Sequence, residues 1–419
     1  MRVLWISIIE FPPLAKELGH SLPLGCGWLY SSAMALKKNI SELQLGVIVY
    51  SYEDQFEEYH IDDITYYLVP TKSMESSDKR QIAACYEAIT IFQPELIHIH
   101  GTEHSLAQAV CKANTANIKT VVNIQGLASG IAPFADGGLS LWDKLTNITP
   151  LDFYRGTFLL NARRSMYKRA KCEEYVIRHS SDIIGRTQWD RDHVKTINPG
   201  INYHFMNETL RDSFYEEPYW SYDKCQKYTI FLSNSNVPLK GVHMFMKALQ
   251  IIVKKYPKTK VNICGSSVLN NDLKKMIHFQ GYHLYLRRMV KKMGIVEHLN
   301  FMGALTEMQM KQAYLDANVY VLCSAIENSS NSLCEAQMLG VPVVASYCGG
   351  TPTLVTDGET GYLYRYEEAD MLAQRIMDLF NIQDHTDLSK RERNTASERH
   401  NRQANANRLV EIYNSILEK

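Results

Sequence analysis

The chain has 419 residues, more than one hydrophobic core ordinarily serves, so two domains are expected. Lys and Arg total 45 and Asp and Glu total 45, which excludes the basic excess of a dedicated nucleic-acid binder. Hydrophobic residues make up 45%, an ordinary globular share, and no apolar run reaches the roughly 18 residues of a membrane-spanning helix.

The first half alternates strands and helices. Val3–Ile9 is a short apolar run and reads as a buried strand. It ends too soon, at Pro12-Pro13, to be a signal peptide. Gly25-Cys26-Gly27 then opens a helix from Trp28 to Lys38. A strand, glycines and a helix start form a phosphate-approach geometry, although glycines in loops usually only turn the chain. Strands Leu45–Tyr50 and Ile64–Val69 follow, then helix Asp78–Phe92 with its stop at Gln93-Pro94. In strand Leu96–His100, one imidazole of His98 and His100 is expected on each side, as a buried, satisfied histidine rather than a metal ligand. Lys119–Ile124 is the next strand and ends in Gln125-Gly126. Residues 127–160 are rich in Gly, Pro and aromatics and read as a long surface excursion. Arg163, Arg164, Lys168, Arg169 and Lys171 gather on a helical stretch. They read either as a solvated face or as a contact for anionic lipid headgroups or a lipid-diphosphate acceptor. Ile183–Gly185 is a strand end leading through Arg186 to helix Gln188–Lys195; Arg186 is a candidate phosphate contact. Asp190 and Asp192 superficially resemble a metal-binding pair, but helical spacing makes them diverge. Asn198-Pro199-Gly200 is a breaker cluster and the expected domain boundary.

A second series starts after an aromatic-rich linker (Phe214–Tyr222). Strand Lys227–Leu232 leads through a loop ending in Lys240-Gly241 to helix Val242–Tyr256. Strand Lys260–Gly265 and a basic span, Asp272–Lys292, precede strand Leu299–Gly303, helix Glu307–Asp316 and strand Val319–Leu322. Residues 324–361 then carry Glu327 and Glu335, seven residues apart, with Ser329, Ser330, Asn331 and Ser332 between them as good helix N-caps. A helix is expected over Ser330–Leu339, closed by Gly340, followed by strand Val341–Ser346 and a Gly349-Gly350 turn. The free amides and positive dipole end of such a helix attract phosphate. An anion site flanked by two carboxylate acceptors suits a nucleotide-sugar. Helix Glu367–Phe380 completes this part. Residues 383–408 are polar, and Leu409, Val410, Ile412, Tyr413, Ile416 and Leu417 recur at helical spacing. The nine cysteines are odd in number and scattered, without metal-ligand spacing, and read as reduced core thiols of a cytosolic protein.

The E-x7-E pair, with Ala336, Gly340, Pro342, Val343, Val344, Ala345, Ser346, Gly349, Gly350, Asp357, Gly358, Thr360, Gly361 and Leu363 in register, resembles the retaining GT-B glycosyltransferases of the family 4 type. The resemblance covers most of the chain, and its motifs are specific in the second half and loose in the first. It implies an α/β fold of two Rossmann-like domains facing a cleft, with a C-terminal helix crossing back to the first. The expected spans are 1–199 on the acceptor side, 200–398 binding the donor, and 399–419 for the helix.

By the same resemblance Glu327 holds the donor sugar, Glu335 the ribose, and the amides of Asn331, Ser332 and Leu333 the diphosphate. Lys240 neutralises the departing diphosphate, Gly27 and Gly265 let backbone approach the nucleotide, and Gly303 and Leu305 lie near the base. Three departures stand out: Gln125 replaces a frequent histidine, Ser235 falls where an arginine is common, and Thr353 where a glutamate is common. Gln125 and Ser235 are kept as sugar or phosphate contacts. The implied activity is metal- and cofactor-independent sugar transfer to a carbohydrate or lipid-linked acceptor hydroxyl with retention, in bacterial polysaccharide or glycoconjugate assembly. It is placed in the cytoplasm, with membrane contact through 163–171. The alternatives are a non-catalytic nucleotide-sugar-binding protein and a related GT-B epimerase or phosphorylase.

Overall fold

In a computed structural model, residues 1–20, 27–40, 42–269 and 277–419 are described. They form two α/β domains. Residues 1–131, 165–211 and 400–419 make the first, and 132–164 with 212–399 the second.

The first domain is built on an eight-stranded sheet. Its strands are β1 (Arg2–Ser7), β2 (Gln44–Ser51), β3 (Glu57–Ile61), β4 (Ile64–Pro70), β5 (Leu96–His100), β6 (Lys119–Asn123), β7 (Asp182–Gly185) and β8 (Asn202–Phe205), in the order β3-β4-β2-β1-β5-β6-β7-β8. All neighbours are parallel except β3, which runs antiparallel to β4 at the edge. Central strands covered on both faces need apolar side chains on both, and β1 shows this. Leu4 and Ile6 enter one core, and Val3 and Trp5 the other.

The C-terminal helix Arg402–Leu417 packs on the Trp5 side through Leu409, Ile412, Tyr413 and Ile416. The tail groups with the first domain. The Tyr413 hydroxyl accepts from Trp5 Nε1 at 2.9 Å and lies 2.5 Å from His98 Nδ1.

His98 and His100 do not face opposite sides, which corrects the expectation. Strand periodicity is two, so both project to the same face, and their rings lie 3.9 Å apart. Burial lowers the pKa of His98 to about 3 and holds that of His100 well below its ordinary value. His98 meets Tyr413 through Nδ1 only, and His98 Nε2 and both His100 nitrogens lack a partner among the described residues.

The second domain has a six-stranded, all-parallel sheet. Its strands are β9 (Thr229–Leu232), β10 (Lys260–Cys264), β11 (Leu299–Gly303), β12 (Val319–Leu322), β13 (Val343–Ser346) and β14 (Tyr362–Tyr364), in the order β11-β10-β9-β12-β13-β14. Helices Val242–Lys255, Gly281–Met293 and Ala369–Asn381 bury one apolar stripe each in its core. Positions 272–276, where the basic span was expected to begin, lie outside the described residues.

Three expectations about organisation change. The Asn198-Pro199-Gly200 cluster is a tight connection inside the first domain, closed by Ile201 N–H donating to Asn198 O at 3.2 Å, and β8 follows it. The domain boundary accordingly falls at Arg211–Asp212. Residues 127–160 are not a plain surface excursion. They form short helices, including Leu141–Thr146 and Pro150–Arg155, and from Ala132 on they group with the second domain. There Gly137 O accepts from Tyr366 Oη at 2.8 Å, and buried Asp152 accepts from Gly281 N–H at 3.0 Å. Finally, the polar stretch after 383 contains helix Thr386–Arg399, which packs on helix Asn331–Leu339.

Tyr413→Phe removes the oxygen that accepts from the buried Trp5 indole. An unsatisfied buried donor costs about 1–3 kcal/mol. Urea unfolding should show a loss of that size, and an unchanged midpoint would show that the tail is not held this way.

Candidate functional site

The candidate site of the second domain lies beyond the carboxyl ends of its parallel strands, where the strand-to-helix loops gather. The loop after β12, residues 323–330, is its centre. Its backbone is tied on two sides. Ala325 N–H donates to Leu239 O at 2.8 Å and Gly350 N–H to Glu327 O at 2.9 Å. Ser346 Oγ donates to Ser324 O at 2.6 Å. Two glycines make these approaches feasible. A Cβ on Gly241, at φ +66°, would stand 1.8 Å from Cys323 O, and one on Gly349, at φ +47°, would stand 2.0 Å from Glu327 O.

Glu327 is thereby fixed, with its side chain 13% exposed. Its Oε1 accepts from Ser324 Oγ at 2.6 Å and from Lys240 Nζ at 2.5 Å. Burial works to lower the Lys240 pKa, but the charge and hydrogen bond of Glu327 outweigh it and hold the ammonium above its ordinary value. The lysine keeps 28% of its side chain exposed.

Helix Asn331–Leu339 begins directly after this loop. Ser330 is its N-cap, accepting from Leu333 N–H at 3.4 Å, and Gly340 closes it at φ +77°. Leu333 N–H also reaches Ser330 O at 3.1 Å, so the cap occupies an amide that was expected to meet a ligand. The amides of Asn331 and Ser332 have no acceptor among the described residues and carry the positive end of the helix. Two tyrosines pin this tip. Tyr314 Oη donates to Ser332 O at 2.8 Å, and Tyr320 Oη donates to Ser332 Oγ at 2.9 Å and also meets Ser233 Oγ at 2.9 Å. Neither tyrosine stood out in the sequence, because an aromatic residue in a helix or a buried strand reads as core. Glu335 is buried one turn further along the helix.

The ends of β10 and β11 meet through Gly265 N–H donating to Gly303 O at 2.9 Å. Gly265 has φ +130°, and a Cβ there would come within 2.4 Å of Ser235 Oγ. Gly303, at φ +75°, faces open space, and Leu305 beyond it is half-buried. Ser235 is buried and its hydroxyl donates to Cys264 O at 3.4 Å, which braces the turn. Thr353 sits in the short helix Thr351–Leu354 after the Gly349-Gly350 turn.

The other candidates belong to the first domain. Gly27 is the first residue of helix Gly27–Asn39, and Gly25-Cys26 before it lies outside the described residues. Gln125 Nε2 donates to Glu208 Oε1 at 2.9 Å. Arg186 is buried, ion-paired with Glu208 and bonded to Ile124 O at 3.0 Å. Its guanidinium is engaged with these partners. Glu208 had no signal of its own in the sequence. Asp190 is buried against Tyr203 while Asp192 is exposed, so that pair diverges as expected.

Residues 221–399 match the family model of the glycosyl transferases group 1. Spore coat protein SA of Bacillus subtilis is 25% identical over 179 residues, 42% of this chain and 45% of that protein. The GDP-mannose-dependent alpha-(1-6)-phosphatidylinositol monomannoside mannosyltransferase of Mycolicibacterium smegmatis is 28% identical over 150 residues, 34% of this chain and 36% of that one. The matched stretch thus spans less than half of these relatives. Among solved structures, sucrose-phosphate synthase from Thermosynechococcus elongatus superposes with a TM-score of 0.71 at 14% identity, covering 100% of this chain and 99% of that one. Anabaena HepE in complex with UDP and glucose gives 0.67 at 15% identity, with coverage of 99% and 100%. The fold is GT-B.

One buried carboxyl supports the loop after β6. Glu173 accepts from Ser129 N–H at 3.0 Å, from Ser129 Oγ and from Ala128 N–H at 2.5 Å. Burial nevertheless pushes its pKa up to about 7, against those hydrogen bonds. A folded-state value above the unfolded 4.5 means the native protein holds its proton more tightly. Its contribution to stability is therefore greatest below the unfolded value and declines until pH reaches the folded one. Relative to Glu173→Gln, the wild type should lose on the order of 1–3 kcal/mol between pH 4.5 and 7 and change little above. Urea denaturation across that range measures it; a pH-independent difference would contradict the assignment.

Proposed function

We propose that this protein transfers a sugar from a nucleoside-diphosphate-sugar to an acceptor hydroxyl, with retention of anomeric configuration and without a metal or cofactor. The observation that carries the reading is a charged lysine and a fixed carboxylate standing beside a helix tip. The Asn331 and Ser332 amides and Lys240 would hold the diphosphate, and they oppose the negative charge that grows as it departs. Glu327 would accept from donor-sugar hydroxyls and Glu335 from the ribose. Gly265, Gly303 and Leu305 would border the nucleoside. In the free protein Lys240 and Glu327 satisfy each other, so donor binding exchanges that contact for phosphate on one side and sugar on the other.

The finer reading extends to a carbohydrate or lipid-linked acceptor in polysaccharide or glycoconjugate assembly, met by a cytoplasmic protein on the inner face of a membrane. Gly27, Gln125 and Arg186 of the first domain and Ser235 of the second are its remaining candidate contacts. One similar protein is GDP-mannose-dependent and another is solved in complex with UDP and glucose, so the base is the first quantity to measure.

Calorimetric titration with UDP, GDP and ADP identifies the nucleotide, and hydrolysis or transfer assays with the matching sugar donors follow. Glu335→Ala should weaken nucleotide binding about 10- to 100-fold, the worth of a hydrogen bond to a charged group. Glu327→Ala should leave nucleotide affinity within a few-fold and lower turnover instead. Equal effects of the two variants on both quantities would overturn the division of roles. Tight donor binding without turnover across a broad acceptor panel would favour a non-catalytic binding protein.

A further inference from the structure

Six of the sixteen exposed large hydrophobic side chains among the described residues lie between positions 141 and 160: Leu141, Trp142, Leu145, Phe153, Tyr154 and Leu160. Tyr154 is 88% exposed, Trp142 74% and Phe153 72%. Exposed apolar residues scattered singly need no explanation, but a concentration of this kind marks a contact surface.

Two contacts link parts of this segment. Helix Leu141–Thr146 packs against the turn Leu159–Asn161. The Phe153 ring meets Phe158, which precedes that turn, edge-on at 5.2 Å. The base beneath them is rigid. Arg288 donates to Thr146 O at 2.7 Å, and Asp152 forms a capping box with Thr149 while accepting from Gly281 N–H.

The charges around the patch are predominantly positive at the surface, with Asp143 the one partly exposed acid among residues 132–164. Arg155, Arg163 and Arg164 are exposed. Of the three acids between 132 and 164, Asp136 and Asp152 are buried, and Asp143 accepts from Ser140 Oγ at 2.6 Å. Asp136 is neutralised by Lys144 and Arg163. The surface thus offers aromatic and leucine side chains with guanidinium groups beside them and no buried-charge partner to satisfy.

We infer that residues 141–160 dock the second domain on an anionic lipid bilayer, with the Trp142, Phe153 and Tyr154 rings entering the headgroup layer and Arg155 and Arg164 meeting lipid phosphates. Aromatic rings favour that interface, and each arginine near an anionic surface contributes attraction that salt screens. The basic stretch alone does not supply the contact, because Arg163 and Lys168 are engaged with Asp136 and Glu75. This deepens the membrane side of the functional reading and is tested without donor or turnover, so the two stand or fall separately.

Trp142 is the natural reporter, since Trp5, Trp28 and Trp220 are buried and Trp189 is half-buried. The full chain is titrated with vesicles of phosphatidylcholine alone and with about one third phosphatidylglycerol, in low and high salt. Anionic vesicles should shift tryptophan emission to the blue, brominated acyl chains should quench it, and high salt should weaken binding. Trp142→Phe should abolish the spectral change while the protein still co-sediments with vesicles. Leu141→Ser with Phe153→Ser and Tyr154→Ser should cut partitioning at least tenfold. Arg155→Glu with Arg164→Glu should reduce it by about fivefold per site or more. Circular dichroism confirms that each variant is folded. No binding of the wild type to anionic vesicles, binding that leaves Trp142 unquenched, or a blue shift that follows protein concentration without lipid, as self-association would give, overturns the inference.

Discussion

The candidate site depends on two places where backbone meets backbone more closely than a side chain permits. Gly241 lies under the carbonyl of Cys323, and Gly349 lies under the carbonyl of Glu327. Between them the loop after β12 is gripped from the Lys240 side and from the β13 side, and hydrogen bonds at Ala325, Ser324 and Gly350 close the grip. Each glycine also has positive φ, so any other residue there meets strain as well as collision. Main chain is stiffer than side chain. A carboxylate mounted on a loop held this way has its direction set by covalent geometry.

That rigidity makes the charges affordable to keep. A largely buried ammonium ordinarily loses its proton, and Lys240 holds it because Glu327 is fixed within hydrogen-bond reach. The helix tip is treated likewise. Tyr314 and Tyr320 fasten Ser332 from both its carbonyl and its hydroxyl, while Ser330 closes the cap. Positive potential from the lysine and from two helix amides then stands in a frame that need not reorganise when an anion arrives, which is the arrangement electrostatic stabilisation requires.

Much of this frame was legible in the residues. Strand Leu96–His100, strand Leu299–Gly303, helix Glu307–Asp316 and strand Val319–Leu322 have the bounds their patterns predict, because apolar runs and Thr306-type caps mark them sharply. The Ser330 cap and the Gly340 stop were readable for the same reason. Elements whose buried faces are polar were not. Helix Thr386–Arg399 buries Leu388, Glu392 and Ala396, a stripe too weakly apolar to register, and Glu392 earns its place by accepting from Val343 N–H at 3.3 Å. The 127–160 region read as loop because its order comes from Asp136, Gly137 and Asp152 bonding to distant residues. The roles of Arg186 and Ser235 depended on which way a side chain turned, and one-dimensional spacing does not encode that.

The two domains secure their strand-end loops by different means, and this bears on why the motif match was specific in one and loose in the other. In the first domain the fasteners are buried carboxylates. Glu173 holds Ala128 and Ser129, Glu208 holds Gln125 and Arg186, and Asp190 holds the Arg186 amide and Tyr203. A carboxylate acting at side-chain length has substitutes: another acceptor, from another position, reaches the same amide. In the second domain the fasteners are glycines in contact with carbonyl oxygens, and no other residue type fits the same gap. Loops held by exchangeable side chains leave a scattered trace in sequence, while loops held by forbidden Cβ atoms leave fixed letters at fixed spacing. The sharpness of the 324–361 pattern thus follows from how its backbone is packed.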